Sequence, residues 1–169
     1  MRMPWHGRPV PDDARRVLSL SGGERVLDWT NDTAGTVLVA GSARLYAVTG
    51  GRLALARPWH LVDSGRWNRE SSSLTVTWVD GERRCRWVIE DGTSFLQAVR
   101  ERVQASVVLS EDVSLGERGS ARVVIRRDLE SGSLLGQTVL GRGVGIDDPG
   151  VRETTEAVLG YLKEQVGLL

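Results

Sequence analysis

Seven short segments rich in β-branched or aromatic residues follow one another between Glu24 and Glu90: Glu24–Trp29, Thr36–Ala40, Arg44–Val48, Arg52–Ala56, Trp59–Trp67, Leu74–Val79 and Arg84–Glu90. Turn-forming residues separate most of them, at Asn31-Asp32, Gly41-Ser42, Gly50-Gly51, Ser71-Ser72-Ser73 and Asp80-Gly81. Short strand-like runs punctuated this regularly constrain the chain to a small antiparallel barrel or sandwich. Alternation is clearest in the last hairpin. Leu74, Val76 and Trp78 share one face with Thr75 and Thr77 on the other, and Cys85, Trp87 and Ile89 alternate with Arg84, Arg86 and Glu90. Asp80-Gly81 suits a two-residue turn because both residues tolerate positive φ.

The strand pattern ends at Asp91-Gly92. Ser94 with Gln97 has the spacing of a capping box, and Phe95, Leu96, Val99 and Val103 make an apolar stripe over about 94–106. This amphipathic helix is expected to close an open edge or end of the sheet. A second unit then begins at Val107, with strands at Arg122–Arg127 and Leu134–Leu140. Asp148-Pro149 reads as a cap and first-turn proline for a helix whose buried face is Val151, Thr155, Val158, Leu162 and Val166, with Gly167 just beyond its end. A ββα unit this small is expected to pack on the first or pair with another copy. Ahead of the strands, Pro4, Gly7 and Pro9 mark a flexible lead, and Pro11-Asp12-Asp13 opens a short helix that must stop by Gly22-Gly23.

The order of these features resembles the pleckstrin-homology (PH) superfold, seven strands closed by one C-terminal helix. The resemblance is carried by Gly23-Glu24-Arg25-Val26-Leu27, by the Thr36–Val48 hairpin around Gly41-Ser42-Ala43-Arg44-Leu45-Tyr46, and by Pro58-Trp59-His60-Leu61-Val62 ahead of Trp67. Together with the run from Val99 to Val108, these residues are similar to an actinobacterial family of uncharacterised proteins whose N-terminal half is PH-like. The resemblance spans roughly residues 20–165 and has Gly41-Ser42 where bacterial PH-like domains often carry Thr-Asp or Thr-Thr. With the pattern of the residues it gives an expected α+β fold: a flexible lead over residues 1–10, a PH-like seven-stranded barrel or sandwich with its closing helix over 11–108, and a ββα unit over 109–169. It brings no catalytic role.

Composition narrows the function classes. The 22 basic and 22 acidic residues cancel, which argues against a dedicated nucleic-acid binder. Residues 1–110 carry a net +3 and residues 111–169 a net −3, an asymmetry suited to docking or self-association. No apolar run is long enough to span a membrane, and the N-terminus lacks the apolar core of a secretory signal, so a cytoplasmic protein is expected. One cysteine excludes an intrachain disulfide or cysteine-rich zinc site, and His6 and His60 have no metal-ligand spacing. Lys163 is the only lysine, so Leu20-Ser21-Gly22-Gly23-Glu24, an ATPase-like signature loop, lacks the phosphate-binding lysine its chemistry needs. Gly141-Arg142-Gly143-Val144-Gly145 precedes a helix but misses the dinucleotide spacing. No cofactor is expected.

Two groups of residues remain as candidates. Arg83, Arg84 and Arg86, with Arg66 and Arg69 in reach, are the densest basic region and could meet an anionic lipid surface. His60, flanked by Trp59 and Trp67, could act as a general base, although Asp63 falls on the opposite strand face. The expected function is a non-enzymatic binding or scaffold module acting on a protein partner or a second copy. The alternatives are a peripheral lipid binder using Arg83–Arg86 and an enzyme with its site near His60.

Overall fold

A computed structural model describes residues 8–20 and 22–168. All seven expected strands form: β1 (Val26–Asn31), β2 (Val37–Gly41), β3 (Arg44–Thr49), β4 (Arg52–Pro58), β5 (Val62–Asn68), β6 (Ser73–Trp78) and β7 (Cys85–Val88). They do not close into a barrel. One antiparallel sheet has the order β1-β2-β3-β4 and a second has the order β5-β6-β7. The break between them lies at Pro58, after which Trp59–Leu61 forms a 3-10 turn instead of the expected strand start. Proline cannot donate to a ladder, so the chain leaves one sheet there and enters the next at Val62. The tightest hairpin joins β3 to β4 through Gly50 (φ 58°) and Gly51 (φ 71°), with Thr49 opposite Arg52. A two-residue loop with both φ values positive matches the twist of the strands, and glycine adopts it without strain.

The helix α2 (Thr93–Ser106) drives Phe95 and Val99 into the core between the two sheets, against Leu38, Leu45, Trp59, Val62, Val76 and Ile89. The capping box expected at its start is absent: no side chain caps Gly92, and Gln97 instead donates to Glu101 at 3.0 Å. The first helix, α1 (Asp12–Val17), lays buried Ala14 on the outer face of the β1–β4 sheet, beside Trp29, Val39, Tyr46 and Val48.

The C-terminal unit has one strand more than its sequence suggested. β8 (Val107–Ser114) follows α2 with no loop, then β9 (Ser120–Arg127) and β10 (Leu134–Leu140), in the order β10-β9-β8, and α3 (Val151–Gln165). The unit is therefore βββα rather than ββα. No glycine or proline separates Ser106 from Val107, and the polar Ser110-Glu111-Asp112 interrupts the apolar pattern, so neither signal of a strand was present. Val151, Thr155 and Leu162 are buried, and α3 ends in a Schellman motif: Leu168 N–H donates to Lys163 O at 2.8 Å and Gly167 N–H to Glu164 O at 3.2 Å. Its start differs from expectation. Gly150 (φ 81°) precedes the first helical residue, and the Asp148 carboxylate turns back to accept from Gly145 N–H at 2.7 Å.

α3 covers one face of this sheet through Val123 and Ile125. The opposite face, carrying Arg122, Val124 and Arg126, meets the first two-sheet body. Arg126, 3% exposed, donates to Trp59 O and Val62 O, both at 2.8 Å, and to Ser106 Oγ. Asp63 pairs with Arg122, and Arg44 with Glu130 at 3.0 Å. No helix among the described residues is long and apolar enough to cross a membrane.

Candidate functional site

Strand β5 pairs with β6 alone and so forms an edge of its sheet. Its register fixes which way each side chain points. Gly65 lies opposite Val76 and Trp67 opposite Leu74, both core-facing, so Gly65 and Trp67 share the inner face while Ser64 and Arg66 point outward. Along that edge runs the flank of α2. Phe95 and Val99 anchor the helix, leaving Leu96 and Val103 half-buried beside Gln97, Arg100 and Gln104. Between strand and helix lies a groove of about 870 Å³. Trp67 is 39% exposed within it, an uncommon setting for a large aromatic side chain. The groove can accept an extended chain: an edge strand forms one wall, and the other is the flank of α2, where Leu96 and Val103 alternate with Gln97, Arg100, Glu101 and Gln104.

The six candidate residues fall in separate places. Trp59 is fully buried, its indole N–H donating to Gly41 O at 2.9 Å, so it belongs to the core. His60 is half-buried where the C-terminal sheet docks; its carbonyl accepts from Gln137 Nε2 at 2.6 Å. Burial lowers the imidazole pKa, with nearby Asp128 opposing and Arg126 and Arg44 reinforcing the shift. Among the described residues no carboxylate hydrogen-bonds its ring, and Asp63 is engaged by Arg122. Arg83 and Arg84 lie in the open loop that joins β6 to β7, because the ladder stops at Val76 and Cys85 short of the Asp80-Gly81 turn. Asp80 pairs with Arg57 while also accepting from Glu82 N–H at 3.2 Å, and the Arg57 guanidinium stacks 4.4 Å from the Trp78 ring centroid. The Arg57 hydrogen bond holds the Asp80 carboxyl below its ordinary range. Arg86 projects from β7. Arg83, Arg84 and Arg86 are all exposed, with no ion pair among the described residues.

The remaining motifs are occupied by local structure. In the Gly141–Gly145 loop, Gly141 N–H donates to Ser120 O at 2.8 Å, Val144 N–H to Gly141 O, and Gly145 N–H to Asp148. Those amides face their own chain rather than a phosphate. Cys85 packs half-buried against the first core. His6 and Ser21 lie outside the described residues. Among the described residues no three His, Cys, Asp or Glu side chains cluster as metal ligands would. No protein-family model matches the chain, and no curated protein matches it.

The sequence places Trp67 beside the His60 candidate, whereas the structure puts it in the groove, apart from His60. Its groove partners, Leu96 and Val103, read in the sequence only as part of the apolar stripe of α2. A helical stripe wider than its core contacts was the available signal.

Proposed function

We propose that this chain is a non-enzymatic protein-binding module of PH-like build, working in the cytoplasm, whose binding surface is the groove between β5 and α2. Four strands plus three, followed by a helix that fills the space between the sheets, support the PH-like reading and its resemblance to the actinobacterial family. The observation that carries the functional reading is the edge position of β5 with Trp67 exposed beside Leu96 and Val103 of α2. An extended polypeptide segment is the occupant this geometry favours. Its backbone would continue the β5-β6-β7 sheet, and its alternate side chains would enter the groove. What supports a binding role over catalysis is that His60 lacks an orienting carboxylate and the glycine loop is bonded to itself.

Panning short random peptides against the full chain tests this reading. Enriched peptides are expected to bind the parent and to lose at least about tenfold in affinity on W67E and V103R, which change the two walls of the groove. Enriched peptides that bind W67E and V103R as tightly as the parent would refute the assignment. Light scattering of the free chain shows whether the bound segment is supplied by a second copy: a dimer abolished by V103R would identify the partner as this chain itself.

A further inference from the structure

We infer that the segment accepted by this groove alternates apolar and acidic residues, its acidic side chains lying beside Arg66; this rests on the groove reading above. A strand added to β5 must present successive side chains to opposite faces. Those on the inner face enter the groove, whose apolar members are Trp67, Leu96 and Val103 and whose helix wall also carries Gln97, Arg100, Glu101 and Gln104. Those on the outer face join a surface of different chemistry.

The register shows what that surface holds. Arg66 on β5 lies opposite Thr75 on β6, and Thr75 lies opposite Arg86 on β7. Two exposed arginines therefore share one row, separated by two strand spacings or about 10 Å, with a threonine between them. Neither makes an ion pair or side-chain hydrogen bond among the described residues. Ser64 and Asn68 on β5 and Ser73 and Thr77 on β6 complete the outer polar positions of the two strands. The one carboxylate in these three strands, Asp63, sits at a register shift and is taken up by Arg122. Glu70 lies beyond, in the turn after β5, and Glu101 on α2 accepts from Gln97. A residue placed opposite Arg66 on an incoming strand would have its Cβ about 5 Å from that of Arg66. Opposite charge there is favourable and like charge unfavourable, so the row selects against basic segments as well as for acidic ones.

Two fluorescent, end-capped peptides test the inference, one alternating valine with glutamate and the other valine with lysine. Anisotropy with the full chain at low salt is expected to show the glutamate peptide bound roughly tenfold more tightly, with the gap narrowing at higher salt. R66E, an exposed change remote from the core, is expected to erase or reverse the preference, and W67E to weaken both peptides. Equal binding of the two peptides by the parent overturns the acidic preference and leaves the groove reading standing. Binding of neither peptide, or undiminished binding by W67E, overturns the groove reading and the preference with it. A glutamate preference that survives R66E overturns the role of Arg66.

Discussion

Arg126 offers a sharp test of how the C-terminal sheet is held. Its guanidinium makes four hydrogen bonds to three acceptors: Ser106 Oγ at 3.1 and 2.6 Å, Val62 O at 2.8 Å and Trp59 O at 2.8 Å. Among the described residues no carboxylate pairs with it, and burial pushes its pKa down to about 10, with Asp63 opposing and Arg122 adding to the fall. A fall of that size from 12.5 corresponds to about 3 kcal/mol against the charged form. Replacing a buried charge with an apolar side chain of similar volume is often neutral, because the replacement removes that penalty. The outcome should differ here because two of the three acceptors are backbone carbonyls, which no side-chain change can remove. A buried acceptor stripped of its donor costs about 1–3 kcal/mol. Trp59 O keeps the Val62 N–H, and Ser106 Oγ still donates to Val103 O at 2.6 Å, so the lower part of that range applies to both. Arg126→Met is therefore expected to lose about 2 kcal/mol, and Arg126→Ala about 4 kcal/mol because it also leaves a cavity. Urea denaturation monitored by tryptophan fluorescence gives both values from the midpoint shift at constant slope. Arg126→Met as stable as the parent, or more so, would refute the reasoning, since it would mean the carbonyls lose nothing when the guanidinium goes.

Two further perturbations probe other parts of the frame. His60 has a lowered pKa in the folded chain through burial, so below its ordinary value near 6.5 the unfolded chain binds the proton more readily. Stability from this group is thus present at neutral pH and is lost as pH falls through the range below 6.5; the parent should lose more stability than His60→Asn between pH 7.5 and 5 in paired urea titrations. A side chain at Gly141 would place Cβ 2.5 Å from Ser120 O, the acceptor of its own N–H. Gly141→Ala is expected to cost roughly 1–3 kcal/mol by forcing β9 and β10 apart at that end, read as a lowered thermal midpoint.

Much of this frame was legible because local rules and burial agree. The alternation of Leu74, Val76 and Trp78 survives as buried positions beside half-buried Thr75 and Thr77, and the five-residue face of α3 lies on its sheet with Gly167 at its stop. The failures have particular causes. The strand that begins at Val107 follows a helix without a breaking residue, so the change of period had no marker. Arg126 alternates with Val123 and Ile125 and reads as a solvent position, yet its sheet is covered on both faces. Val124, buried at 4% between two arginines, was the residue that could have announced the second covered face. The groove was harder still. It depends on β5 having no neighbour on one side, a property of sheet order that no segment of the chain encodes alone.

The absence of a loop between α2 and β8 has a consequence for how such a chain can be varied by recombination. A crossover at Ser106–Val107 falls at the visible change from helix to strand and so resembles a natural splice point. It would separate Ser106, Trp59 and Val62 from the arginine that all three require, giving each recombinant half a partner that never evolved against it. Exchanges that keep this clasp intact must instead fall elsewhere, such as the exposed turns at Gly50-Gly51 or Ser131-Gly132. Diversity in this architecture is therefore expected to accumulate at hairpin tips, with the helix-to-strand junction inherited as a single piece.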